Sequence, residues 1–144
     1  MSSPARADAV IVSRQLLASR DRVFDWLTDP DKLARWMSPQ GDVIAQADAK
    51  PGGRLVIVMT DGPMRIEHHG EYLVVERPAR LVFTWNSPYT DGDSLITIDL
   101  VALGDRTGLT LRHERLPQQA AESHGRGWEA ILERLATELG REEL

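Results

Sequence analysis

The side chains with the widest chemical range in this chain are its four histidines, His68, His69, His113 and His124. An imidazole titrates near neutral pH, so it can serve as general base, proton carrier or metal ligand. Two of the four are adjacent, within MRIEHHGEYLVVERPARLVFTW, which runs from Met64 to Trp85. In a strand, alternate residues point to opposite faces. Met64, Ile66, His68, Gly70, Tyr72 and Val74 then share an apolar face, opposite the charged face of Arg65, Glu67, His69 and Glu71. His68 is expected to point inward and His69 outward. Side chains on opposite faces do not readily share an ion, and no carboxylate or further histidine sits at a ligand spacing beside them, so no metal site is expected. Leu73 and Val75 break the alternation. Gly70 is therefore a candidate bulge that would swap the faces beyond it.

The other two histidines need the same weighing. Leu109, Leu111 and His113 share a face opposite Thr110, Arg112 and Glu114, just before a terminal helix that carries His124. A few polar fixtures in an apolar pocket are the usual make-up of a ligand site. The plainer reading is a satisfied core or surface histidine. Ser13, Ser38, Ser87, Ser94 and Ser123 stand beside no pattern for nucleophile activation, and no nucleophile elbow, phosphate loop or dinucleotide fingerprint occurs. Glu142 and Glu143 read as tail, and no catalytic set or cofactor is expected.

The elements that must position these groups follow from periodicity. Ala9–Ala18 reads as a strand. Ser19 is an N-cap candidate for a short helix with Val23, Trp26 and Leu27 on one side, which ends at Asp29-Pro30. A second short helix presents Leu33, Trp36 and Met37. Strands are expected over 42–49, 54–61, 64–77, 80–86, 94–103 and 109–116, joined by short turns, with GDRTG (104–108) as the last turn. Short turns imply antiparallel pairing. From Gln118 to Gly140, Trp128, Ile131, Leu132, Leu135 and Leu139 form one helical stripe, with Gly140 as the stop. Gly125 and Gly127 each cost about 1 kcal/mol relative to alanine in a helix. They predict an irregular first turn or a close approach there, read as a hinge or mouth. The result is an α+β domain, a curved antiparallel sheet of six to seven strands around a long C-terminal helix, with two short helices after the first strand.

Composition narrows the partners. The 144 residues suit one domain, expected over 9–140 behind a loose tail at 1–8. Seventeen basic against twenty-two acidic residues give a net charge of −5 and no basic stripe, so no nucleic-acid partner is expected. The absence of cysteine excludes disulfides, thiolate metal sites and cysteine nucleophiles, and suits the cytoplasm. The start, MSSPARAD, is no signal peptide, and no apolar run reaches the ~20 residues of a membrane helix.

Five stretches in order carry a resemblance: VFDWLTDPDKLARWM, PGGRLVIVM, HHGEYLVVERPARLVFTW, TGLTLRHERLP and HGRGW. Together they resemble the SRPBCC (START-like) superfamily. Within it they are similar to the branch homologous to activators of the ninety-kilodalton heat-shock-protein ATPase, from about Val10 to Leu139. The resemblance implies the helix-grip, Bet v-like fold and a deep cavity between sheet and terminal helix that often holds hydrophobic small molecules. It offers no agreed catalytic set. The leading expectation is a module binding a hydrophobic small molecule, lipids included. Its cavity residues are Trp36, Met37, Met59, His68, Tyr72, Trp85, His113, His124 and Trp128, with Arg54 helping to orient a polar end. One alternative is a cyclase, dehydratase or hydrolase with His68 or His113 as general base. Another is a chaperone-associated interaction domain. A homodimer is compatible with all three.

Overall fold

The structure is a computed structural model that describes residues 9–39, 43–90 and 92–142. The tail expected at 1–8 lies outside them. Seven strands and three helices follow in the order β1 (Val10–Leu16), α1 (Arg20–Thr28), α2 (Pro30–Trp36), β2 (Val43–Ala47), β3 (Arg54–Asp61), β4 (Met64–Glu76), β5 (Arg80–Trp85), β6 (Ser94–Leu103), β7 (Arg106–Glu114) and α3 (Gln118–Glu142). All strands pair antiparallel in one curved sheet ordered β1-β7-β6-β5-β4-β3-β2. Because β1 pairs with β7, the chain's first strand closes the sheet beside its last.

The short helices start where capping groups allow. Ser19 accepts from the Arg22 backbone N–H, and Asp29, closing α1, accepts from Asp31 at the start of α2 with Pro30 as its first residue. Their buried faces, Val23, Phe24, Trp26, Leu27, Leu33 and Trp36, join inward residues of the sheet and the Trp128–Leu139 stripe of α3 in one core.

Three sequence expectations shift. The β6–β7 turn needs only Gly104 and Asp105, so Arg106, Thr107 and Gly108 belong to β7. The bulge lies at Leu73, where the β4–β5 register slips between Tyr72 and Val74, and not at Gly70. His68 and Tyr72 therefore stay on the buried face and the swap comes after Tyr72. Gly70 serves another purpose: a Cβ there would lie 2.1 Å from the Thr84 carbonyl oxygen, so only glycine lets β5 approach. Finally, α3 runs without a break through Gly125 and Gly127 and past Gly140 to Glu142, about 37 Å at ~1.5 Å per residue. There is no irregular first turn.

The end of α3 is pinned. The Glu142 carboxylate accepts from Arg22 at 2.7 and 3.1 Å and from the Trp26 indole N–H at 3.1 Å, with Lys32 at 3.7 Å. The hydrogen bonds from Arg22 hold its carboxyl below the usual range. Glu142 is thus a tie to α1 and not loose tail, which explains why Gly140 does not stop the helix. Among the described residues no helix is long and apolar enough to cross a membrane.

Candidate functional site

The N-terminal half of α3 stands off from the sheet and leaves a cavity of about 660 Å³. Met59 of β3, Ile66 and His68 of β4 and Trp85 of β5 form the sheet wall; Ser123, His124, Gly127, Trp128 and Ile131 form the helix wall. The rim comes from the loops, with Pro39, Pro88, Tyr89 and Pro117. Strand alternation places Ile66 and His68 on the inner face, and helical spacing places His124, Trp128 and Ile131 on one side of α3. Gly127 lies among them with open space where a Cβ would project, so its missing side chain is part of the cavity.

Behind the wall runs a chain of buried hydrogen bonds. The Trp128 indole N–H donates to His113 Nδ1 at 3.0 Å. His113 Nε2 lies 2.7 Å from Ser94 Oγ, and Ser94 donates to the Trp85 carbonyl. An indole nitrogen only donates and a carbonyl only accepts, so every proton is assigned. His113 Nδ1 is the acceptor, Nε2–H donates to Ser94, and the serine hydrogen points at the carbonyl. Protonating Nδ1 would set two N–H groups against each other. Burial, with lesser repulsion from His124 and His68, lowers the His113 pKa to about 3. The serine–histidine contact has the geometry of a nucleophile and base, yet the proton runs from histidine to serine. His113 has no lone pair left to activate anything.

His68 differs. Its ring stacks on Trp85 with centroids 4.6 Å apart and planes 26° from parallel. Its Nδ1 lies 3.3 Å from the Ile57 carbonyl oxygen, which it can approach only as donor. Nε2 is then the acceptor. Burial lowers its pKa to about 4, opposed by hydrogen bonding to the Ile57 and Ile66 backbone and reinforced by His124. His124 is half-buried, donates Nδ1–H to the Ala120 carbonyl at 2.8 Å, and meets His113 edge-on at 5.4 Å. Among the described residues that line the cavity there is no Asp, Glu, Lys or Arg. No group of three or more His, Asp or Glu side chains converges as a metal site among the described residues.

Of the residues singled out in the sequence, Met59, His68, Trp85, His124 and Trp128 meet at the cavity. The others stand elsewhere. Trp36 and Met37 are fully buried under α2, where the Trp36 N–H donates to the Trp26 carbonyl. Tyr72 is sealed in the core edge-on to Phe83, with its hydroxyl unpartnered and its pKa raised by burial. His113 sits behind Trp128, and Arg54 is exposed at the start of β3. His69 points outward. Sequence reasoning missed Ile66 as wall, Gly127 as space and Ser94 as the partner of His113. The first shares its face with His68 and was legible; the other two depend on three-dimensional placement.

A family model described as Activator of Hsp90 ATPase homolog 1-like protein matches residues 17–140. None of the curated proteins matches the chain. Among solved structures, the AHSA1 protein of Silicibacter pomeroyi superposes with a TM-score of 0.83 at 26% identity, covering 93% of this chain and 99% of that one. A protein of Chromobacterium violaceum gives 0.80 at 27%, covering 91% and 96%. CalU16 from Micromonospora echinospora gives 0.73 at 27%, covering 94% and 78%.

Proposed function

This chain belongs to the Activator of Hsp90 ATPase homolog 1-like family, and we propose that it acts as a binding module for a hydrophobic small molecule held between the sheet and α3. The cavity carries this reading. Its volume of about 660 Å³ falls within the ~300–1,000 Å³ of small-molecule sites. Trp85, Trp128, Met59, Ile66 and Ile131 supply apolar wall, and burial of ligand surface would contribute roughly 25 cal/mol per Å² before ordering costs. A cysteine-free sequence supports a cytoplasmic setting.

The enzymatic alternative loses its best base to the hydrogen-bond chain behind the wall, and a His68 pKa of about 4 makes a weak base at neutral pH. The binding reading is preferred on that ground. Native mass spectrometry of freshly purified protein, with a thermal-shift screen of lipids and aromatic compounds, tests it. Stabilisation should grow with the logarithm of ligand concentration over its dissociation constant, and should vanish in Gly127→Leu, whose side chain would fill the space. A screen with no co-purified molecule and no shift would sink it.

A further inference from the structure

We propose that His113 and Ser94, neither of which lines the cavity, are the positioning residues of the binding site: together they hold the cavity-walling turns of α3 at their distance from the sheet. This role presupposes the binding reading above and identifies what sets the width of that site.

The helix is held unevenly along its length. Its C-terminal half carries polar ties to β1, to the end of α2 and to α1. Glu133 pairs with Arg14 of β1, Arg134 donates to the Ser38 and Arg35 carbonyls at 2.8 and 3.0 Å, and Glu142 takes the hydrogen bonds from Arg22 and Trp26. The stretch from Gln118 to Gly127 has no such tie among the described residues. Its side-chain hydrogen bonds, Ser123 and His124 to the Ala120 carbonyl and Arg126 to Glu122, all stay within the helix. The first polar tie to the sheet, counted from the N-terminus, is the Trp128 indole N–H on His113 Nδ1 at 3.0 Å. Ser123, His124 and Gly127 lie on the free side of that tie. Its geometry therefore sets how far they stand from Met59, Ile66 and His68 across the cavity.

The tie is itself fixed from behind. His113 and Ser94 are both fully buried. Ser94 Oγ donates to the Trp85 carbonyl and accepts from His113 Nε2–H at 2.7 Å, which orients the ring and leaves Nδ1 as acceptor facing the indole. One relay thus runs from the backbone of the sheet tryptophan to the side chain of the helix tryptophan. The two rings it joins both wall the cavity, with centroids 5.7 Å apart. An apolar residue in place of His113 would fill its space but leave a buried N–H unmet, a cost the indole sheds only by turning away from the sheet.

Hydrogen exchange read by mass spectrometry on the ligand-free protein tests the positioning. Titration with the neutral fluorophore N-phenyl-1-naphthylamine tests its effect on the site. In His113→Leu, exchange over 122–128 should quicken about tenfold or more and affinity for the fluorophore should fall about tenfold, as the loss of one buried hydrogen bond implies. Exchange over 131–142 should keep its wild-type rate, because the ties of that half remain. His113→Asn brings an amide oxygen near the Nδ1 position and should recover most of the protection and of the affinity. Ser94→Ala cuts the relay one step further back and should move both readouts the same way by about threefold; it carries the test if His113→Leu does not fold. A histidine that merely stabilised the core would, when replaced, let both halves of α3 exchange faster together. That result, or unchanged affinity for the fluorophore in His113→Leu, would overturn this inference and leave the hydrophobic-module reading standing. A wild-type protein that binds neither the fluorophore nor any compound of the thermal-shift screen would overturn both.

Discussion

Acid should unfold this protein through two of its histidines. An unfolded histidine titrates at about 6.5. In the fold, His113 is lowered to about 3 and His68 to about 4, each chiefly by burial. Between those values the unfolded chain holds protons that the folded chain refuses, so stability rises with pH across that window. It is fully present above about pH 7.5 and is lost as pH falls below about 6.5, levelling off near the folded values. At about pH 5 each histidine subtracts about 2 kcal/mol, together about 4, against a typical domain stability of ~5–15. The slope approaches two protons, nearly 3 kcal/mol per pH unit. Urea unfolding followed by tryptophan fluorescence at a series of pH values reads this directly. In His68→Gln the slope should fall to about one proton, and His113→Asn should give the same loss of one. A wild-type stability that stays flat from neutral pH to about 5, or a slope that neither replacement changes, would refute the assignment of neutral buried rings.

Three further outcomes are expected. Gly127→Ala should stabilise by about 1 kcal/mol, because helix propensity favours alanine and nothing lies within 4 Å of the new Cβ; thermal melting checks it, and a lowered midpoint would count against the open space. Tyr72→Phe should be neutral or raise stability by up to about 1 kcal/mol, since the hydroxyl is buried without a partner; a loss in urea unfolding would mean that water satisfies it. Gly70→Ala should cost about 3 kcal/mol or more, because its Cβ meets a backbone oxygen that cannot step aside, and a cost under about 1 in the same assay would place β5 further away.

Much of the fold was legible because its elements obey simple periods. The Trp128–Leu139 stripe, the Asp29-Pro30 break and the inward turn of His68 each follow from a spacing of residue types. What stayed hidden depends on pairing register and on the gap between layers. Ser94 and His113 are nineteen residues apart and meet only because β6 and β7 pair with Ile96 opposite His113. His68 and Tyr72 share a face four residues apart, yet one meets the cavity and the other solid core. Alternation gives the face and says nothing of how far away the opposing helix stands. Glu142 looked like an idle terminal acid because its partners, Arg22 and Trp26, lie more than a hundred residues earlier.

The two tethers on α3 have a joint effect on traffic. Its middle is tied to β7 through Trp128 and His113, and its C-terminal end to α1 through Glu142. These ties fix the C-terminal half of the helix on the core, while the turns before Trp128, which wall the cavity, lie beyond both of them. The way in and out lies at that end of the helix, beside the loop residues Pro39, Pro88, Tyr89 and Pro117. Exchange rates should therefore answer to changes in those loops and in the first turns of α3, and be indifferent to changes on the solvent face of its C-terminal half.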